Sequence, residues 1–377
     1  LQGALGDAPS AASAYRGAID RFERLADDKS DNVEYLRQLA EAYSGLASVV
    51  PDWSERKQML ERAESAISDA IKLMPKDVSL FIRRGDIFKA LSDQRAGEDY
   101  VMAVQLDPQN VQGHLKCSAW YAEPIKKSLR DPERSIHHAQ RALALDSNAP
   151  DCHMQLAIAY MKNDTGNTVR QGAGKPSIHI LSDPDLPLKH YTRAIELAPE
   201  RPPGYRARAS FYIWIGDYER ALVDADRALS MNPNDVTSRK VRAMAFAGLE
   251  QFSKARTDYS AVAKSRPNDA EAHQNLGELH MRFLDWKAAI QPLTRVVQIR
   301  PLAWYIYKRR AKAYLHLGEY DLALADLKKA MEITPKDTTS LWWIGPSSLE
   351  KAPQDFRDHL VALANQKVTV ADPGTYK

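Results

Sequence analysis

The sequence lacks the residue patterns of several large classes of protein. Its 377 residues include only two cysteines, Cys117 and Cys152, and neither belongs to a Cys-x-x-Cys pair. A disulfide framework and a cysteine-based structural zinc site are therefore excluded. The sequence has no apolar run close to the roughly 20 residues that a membrane-spanning helix needs. The net charge is only +3, from 52 Lys and Arg against 49 Asp and Glu, which argues against a dedicated binder of nucleic acid.

The usual motifs of catalysis are also missing. The ten histidines show no His-Glu-x-x-His spacing, and there is no Gly-x-Ser-x-Gly element. Both cysteines occupy positions where small buried apolar residues are expected, which does not favour a nucleophile. We therefore expect no enzyme activity, no metal site and no cofactor.

What the sequence does contain is a repeat. Pro199, Pro233, Pro267, Pro301 and Pro335 stand at intervals of 34 residues, and columns of small residues precede each of them. Within each unit, two runs of apolar residues at helical spacing are separated by Gly or Asp. This pattern predicts a pair of antiparallel helices, a helical hairpin. Because one hairpin cannot bury both of its faces, successive hairpins must stack on one another.

The repeat resembles the tetratricopeptide repeat, whose pattern is W-x2-L-G-x2-Y, A-x3-F and P. The matching residues are Asn275-Leu276-Gly277, Trp286 and Ala289 in one unit and Gly318, Tyr320, Ala323, Ala330 and Pro335 in the next. The resemblance implies an all-α, right-handed superhelical solenoid of about eight tetratricopeptide helical hairpins. It also implies a non-catalytic scaffold for protein–protein interaction.

The repeat divides the chain into three predicted segments. The solenoid covers residues 1–337, with a partial unit over 1–32 and full units that begin near residues 33, 78, 111, 150, 202, 236, 270 and 304. Degenerate capping helices are expected over 338–366, and a tail over 367–377. The turns around 49–55 and 123–130 are enlarged, and the segment 163–187 is an insertion rich in Gly and Pro, which predicts a loop or a short extended excursion.

The N-terminal unit carries a second, narrower resemblance. Residues 14–36 are similar to tetratricopeptide regions attached to bacterial serine/threonine kinases of the planctomycete type. This implies a bacterial source. Because the chain begins with Leu1 and inside a repeat, we expect it to be a section of a longer polypeptide.

An arginine stands before the small residue of the first helix in four of the eight units. An aspartate follows 15 or 16 residues later in the same four units and is absent from the other four. We therefore predict a structural ion pair between the two helices of each of these hairpins. The predicted pairs are Arg84 with Asp99, Arg208 with Asp224, Arg242 with Asp258, and Arg310 with Asp326.

The tetratricopeptide resemblance also implies a binding face. In that family the first helices line a concave face, and the second, fifth, ninth and twelfth residues of each unit point into it. The residues carried over to this face or its edge are Ile82, Met154, Ile158, Arg206, Trp214, Lys240, Met244, Met281, Tyr305, Lys308 and Lys312. The face is apolar in its middle and basic toward the C-terminal half, which favours a protein or peptide with an acidic segment. An ordinary solvated surface is the alternative interpretation of the same residues.

Two other functions stay open. The first is a regulatory or docking region of a larger enzyme, such as a kinase, whose catalytic domain lies upstream. The second, less favoured, is an RNA-binding helical repeat. The small net charge and the absence of interleaved aromatic and basic residues in every unit count against it. We expect a cytoplasmic location, with neither nucleic acid nor a membrane segment involved, and leave the oligomeric state open.

Overall fold

The structure, a computed structural model, describes residues 8–28, 31–50, 52–123, 127–164, 168–169, 175–334, 352–359 and 361. These residues form two compact units. Unit 1 contains the described residues up to 169 together with Pro176–Leu249 and Ser265–Pro267. Unit 2 contains Lys175, Glu250–Lys264 and the described residues from Asn268 onward. Most of the predicted capping segment and all of the predicted tail lie outside the described residues.

Unit 1 is a stack of helical hairpins. Its helices are α1 (Ala8–Asp28), α2 (Val33–Val49), α3 (Trp53–Leu73), α4 (Val78–Ala90), α5 (Arg95–Leu106), α6 (Val111–Ala122), α7 (Pro132–Leu145), α8 (Pro150–Asn163), α9 (Asp185–Leu197), α10 (Pro202–Ile215), α11 (Tyr218–Met231) and α12 (Val236–Gly248). A short 3-10 helix, Lys127–Leu129, precedes α7. The hairpins are α2–α3, α4–α5, α6–α7, α8–α9 and α10–α11, while α1 packs on α2 and α12 packs on α11.

Unit 2 repeats the same arrangement over a shorter length. It contains α13 (Phe252–Ser265), apart from its last residue, followed by α14 (Ala270–Arg282), α15 (Trp286–Ile299), α16 (Trp304–Leu317) and α17 (Tyr320–Ile333). Its hairpins are α14–α15 and α16–α17, and α15 packs against α16. Residues 354–359 are also helical, and Phe356 among them packs against Tyr320 with ring centroids 5.3 Å apart.

Helix starts in both units are set by side-chain caps. Asp77 is typical, because its carboxylate accepts a hydrogen bond from the backbone N–H of Ser79 at 2.9 Å. Such a cap satisfies one of the backbone donors that the first turn of a helix leaves without a partner. Equivalent caps are made by Asn32, Asp52, Asn110, Asp131, Asp217, Asp235, Asp269 and Asp285.

Two departures from a uniform repeat bear on function. The extra residues around 49–55 extend helices rather than a loop, so α2 has 17 residues and α3 has 21, against 13 in α4 and 12 in α5. The insertion between α8 and α9 forms two antiparallel strands, β1 (Thr168–Val169) and β2 (Ile178–His179), with Val169 opposite Ile178. Strand β2 lies in contact with α10.

Close packing within a hairpin depends on small residues at the helix contact. A Cβ atom placed on Gly85 of α4 would lie 2.6 Å from the ring of Tyr100. That ring cannot easily move, because the Tyr100 hydroxyl donates a hydrogen bond to Asp86 at 2.7 Å and the side chain is fully buried. The glycine is therefore a requirement of packing rather than of backbone conformation.

We expect Gly85→Ala to lower the free energy of unfolding by about 1 kcal/mol, because overpacking outweighs the gain in helix propensity. The matched control is Gly17→Ala in α1, where a Cβ atom meets nothing within 4 Å. This control should instead raise stability by about 0.5–1 kcal/mol. Urea denaturation followed by circular dichroism measures both, and a stabilised Gly85→Ala protein would contradict the packing argument.

Candidate functional site

Three of the four predicted arginine–aspartate pairs are brought together within hairpins. In each, the arginine Nε and Nη2 donate to the two carboxylate oxygens of the aspartate. The distances are 2.8 and 2.8 Å for Arg84 with Asp99, 2.7 and 2.9 Å for Arg208 with Asp224, and 2.8 and 2.6 Å for Arg310 with Asp326. All three aspartates are buried. These arginines therefore have a structural role within the stack.

Each of these arginines makes a third contact that the sequence analysis missed. Its Nη1 donates to a hydroxyl of the preceding hairpin, at 3.2 Å to Ser68, 3.3 Å to Thr192 and 2.9 Å to Thr294. The hydroxyl stands 16 residues before the arginine every time. One guanidinium thus holds three helices together, two of its own hairpin and one of the hairpin before it.

The fourth predicted pair stays a prediction, because Arg242 lies in unit 1 and Asp258 in unit 2. Within unit 1, the Arg242 Nη1 donates to Asp226 at 3.1 Å. Asp226 also stands 16 residues before the arginine. The contact with the preceding hairpin is therefore present here too, with a carboxylate in place of a hydroxyl.

Two hairpins without an arginine–aspartate pair contain a pair of histidines instead. The Nδ1 atoms of His114 and His138 lie 2.9 Å apart between α6 and α7, and those of His153 and His190 lie 3.0 Å apart between α8 and α9. His138 and His190 stand where the other units have the aspartate. The sequence analysis found that the aspartate is absent from these units but did not find the partners of the two histidines. The available signal was that His114 and His153 are both the fourth residue of a first helix.

The predicted binding residues of unit 1 lie on its successive first helices. Met154 and Ile158 of α8, Trp214 of α10 and Met244 of α12 are half-buried and pack on one core cluster. Ile82 of α4 is also half-buried. Neighbouring first helices are in contact along this side, α6 with α8 and α10 with α12. We call this side of unit 1 the first-helix face.

The insertion contributes to the first-helix face. His179 of β2 stacks on Trp214 with ring centroids 4.0 Å apart, and the Lys162 ammonium lies 5.7 Å from the centre of the same Trp214 ring. Ile178 packs where α10 ends at Gly216. Part of the apolar surface expected at Trp214 is therefore covered by the chain itself.

The basic character expected of this face is reduced by internal pairing. Arg206 donates to Asp235 at 2.7 Å, so its charge is already matched. Although burial opposes the effect, hydrogen bonds from Ser238 and Arg206 hold the pKa of Asp235 below its usual value. Lys240 is half-buried one turn before Met244.

In unit 2 one predicted binding residue has a different environment from the one expected. Lys308 is only 8% exposed, and its ammonium lies 4.4 Å from the centre of the Trp304 ring, a cation–π contact. The expectation that Lys308 stands open on a binding face is therefore not met. Met281, Tyr305 and Lys312 are half-buried, and the Tyr305 hydroxyl donates to Gln274 at 3.4 Å.

Among the described residues, no three or more His, Cys, Asp or Glu side chains are grouped so as to hold a metal ion. Within the same residues, no helix is both long and apolar enough to cross a membrane. Burial raises the pKa of the Cys117 thiol to about 12 and that of Cys152 to about 11. Both thiols therefore stay protonated at neutral pH, and a protonated thiol is a poor nucleophile.

Stacked antiparallel hairpins of this kind define an all-α helical-repeat solenoid, the predicted fold class. Family models of the tetratricopeptide repeat match residues 240–303 and 304–337. The human protein SGT1 homolog is 35% identical over 57 residues, which cover 15% of this chain and 16% of that protein. Residues 240–337 thus match the tetratricopeptide repeat, and the predicted resemblance is confirmed there.

Solved structures with the same fold extend the likeness along the chain. Yeast Tom70 matches with a TM-score of 0.56 and 17% identity, over 89% of this chain and 63% of Tom70. A chain of the APC/C hetero-tetramer Cut9–Hcn1 matches with a TM-score of 0.55 and 12% identity, over 84% of this chain and 59% of that one. At these identities the likeness shows the fold alone.

Proposed function

We propose that the protein is a non-catalytic scaffold that binds a peptide segment of a partner protein on its first-helix face. The observation that carries this proposal is the apolar strip made by Met154, Ile158, Trp214 and Met244. Its members come from three successive first helices and leave part of their apolar surface exposed. A bound segment would remove that surface from water, at about 25 cal/mol per Å².

The polar groups beside the strip support a partner with acidic residues. Lys240 lies next to Met244 on α12, whereas the Lys162 ammonium over Trp214 is already paired with Glu123 at 2.5 Å. A carboxylate placed between apolar side chains of the partner would meet the Lys240 ammonium group. In unit 2, Met281, Tyr305 and Lys312 offer a similar combination on α14 and α16. A methionine-rich surface suits this role because its flexible side chains adapt to the shape of a partner.

Site-specific photocrosslinking in cells of the source organism tests this proposal. A benzophenone amino acid replaces Ile158 or Met244 on the first-helix face, and Val223 on α11 serves as the control. Val223 is 68% exposed but belongs to a second helix. We expect the same protein to be crosslinked from positions 158 and 244 and to be absent from position 223.

A substitution within the apolar strip tests whether the crosslink depends on that strip. Met244→Glu should reduce the yield from position 158 by about tenfold, because the carboxylate replaces an apolar contact and opposes the acidic residues of the partner. Crosslinks of equal yield from all three positions would contradict binding on this face. An adduct that nuclease treatment destroys would favour the RNA-binding alternative.

A further inference from the structure

Unit 1 contains a cavity that lies apart from the apolar strip. It has a volume of about 680 Å³ and is lined by α1, α2, α3 and α4. Much of its wall is apolar, with Tyr15, Ala18, Phe22, Leu60, Ile67 and Ile87 among the lining residues. The volume falls within the roughly 300–1,000 Å³ typical of ligand pockets.

The cavity depends on the lengthened α2–α3 hairpin. The extra helical turns at the end of α2 and the start of α3 carry Ser48 and Arg56, and both line the cavity. The sequence around 49–55 that departs from the repeat length therefore contributes part of the cavity wall. Insertions in repeat proteins often lie on the face that binds a partner.

The two carboxylates that line the cavity already have cationic partners. Glu41 forms an ion pair with Arg83. Asp86 accepts from the Lys116 ammonium at 2.7 Å on each oxygen and from the Tyr100 hydroxyl at 2.7 Å. Neither carboxylate is left as an unmatched negative charge.

Arg56 differs from these carboxylates, because no ion pair joins it to another described residue. Its Nε is buried and has no hydrogen-bond partner among the described residues, and its guanidinium lies 6.0 Å from the centre of the Trp53 ring. The neighbouring acids are engaged elsewhere, since Glu55 binds Arg16 at 2.8 Å and Asp52 caps α3. An arginine does not lose its proton in a protein, so a carboxylate brought into the cavity would give this donor an acceptor and match its charge.

We propose that this cavity binds a segment of a partner protein that inserts an apolar side chain and places an adjacent aspartate or glutamate carboxylate on Arg56. A carboxylate matches the charge of the guanidinium and its planar array of donors. The apolar side chain fills the space between α1 and α4. The inference rests on the proposed function, because the occupant is a protein segment, but it concerns a different site.

Selection from a displayed library of random linear peptides tests the inference directly. The full chain should enrich peptides in which Asp or Glu stands beside Leu, Ile or Phe. Arg56→Gln should weaken an enriched peptide by about tenfold, because a charged hydrogen bond is lost. Changing the acidic residue of that peptide to its amide should weaken binding to the parent protein by a similar factor and have little further effect on Arg56→Gln. Fluorescence anisotropy of the labelled peptide measures each affinity.

Two controls make the result specific to the cavity. Arg21→Gln removes one positive charge from an exposed position of α1 outside the cavity and should leave the affinity unchanged. Ser44→Phe fills the cavity from α2 and should abolish binding, and circular dichroism verifies that each variant is folded.

Four outcomes would overturn the inference. The first is enrichment without any preference for acidic residues, and the second is an equal loss of affinity in Arg56→Gln and Arg21→Gln. The third is binding of the free amphiphile dodecanoate, lost in Ser44→Phe, without enrichment of any peptide, which would assign the cavity to a small ligand. Peptides that bind independently of Arg56 and Ser44 but are lost in Met244→Glu would contradict this inference while leaving the proposed function intact.

Discussion

Arg310→Ala is expected to lower the free energy of unfolding of unit 2 by about 3 kcal/mol, the cost of leaving one partner of a buried ion pair uncompensated. Asp326 is 5% exposed and holds Arg310 through two hydrogen bonds of 2.8 and 2.6 Å. The substitution also removes the 2.9 Å contact with Thr294 of α15. Urea denaturation followed by tryptophan fluorescence reports the change, because Trp286 and Trp304 belong to unit 2.

The matched double variant separates the charge from the contact. Burial raises the pKa of Asp326 even though Arg310 opposes the shift, so the cost of burying the carboxylate offsets part of what the ion pair contributes. Replacing the whole pair by Arg310→Met with Asp326→Leu should therefore be less destabilising than Arg310→Ala alone. A double variant that loses the sum of the two single losses would show that the two residues do not act as a pair.

The fold could be predicted from the sequence because the small residues that pack between the helices recur at a fixed interval. Small residues such as Ala209 and Ala221 are fully buried where the two helices of a hairpin meet, and their spacing fixes the period. The lengthened α2–α3 hairpin was harder to predict. Extra residues between two helices predict an enlarged turn, yet α2 continues to Val49 and α3 begins at Trp53, with Asp52 as its cap.

The site could be predicted only in part, because several contacts join residues of different hairpins. The arginine–aspartate pairs could be predicted, because both residues are present together in some units and absent together from the others. The hydroxyls of Ser68, Thr192 and Thr294 belong to the preceding unit and were missed. Lys308 was expected on a binding face from its repeat position alone, although the sequence places Trp304 one turn earlier, where its ring lies against the Lys308 ammonium. The resemblance to kinase-attached repeats stays a prediction.

The histidine pairs are expected to make unit 1 sensitive to acid. The His114 Nε2 donates to the carbonyl of Pro108 at 3.1 Å, so in the neutral ring its Nδ1 accepts, and His138 must donate. If His114 takes up a second proton, both Nδ1 atoms carry a hydrogen. The two N–H groups then face each other and repel. The charged and titratable groups around the pair are His137, Arg134, Arg141, Asp107 and Tyr121. Arg193 and Lys189 are the cations around the second pair.

We expect unit 1 to lose about 2 kcal/mol of stability through the two histidine pairs as the pH falls from 7 to 4, a figure reduced for the partial exposure of the rings. Burial, aided by His114, lowers the pKa of His138 to about 4, and burial also lowers the pKa of His190. Because the unfolded chain takes up these protons near pH 6.5 and the folded chain does not, stability is complete above that pH and is lost below it. His138→Gln with His190→Gln keeps a donor at each position and removes the titration of these two rings, while His114 and His153 remain, so its urea midpoint should fall less between pH 7 and pH 4. The carboxylates titrate in both proteins, so their contribution to the change in midpoint cancels in the comparison. Equal falls in midpoint for the two proteins would show that other groups cause the acid sensitivity.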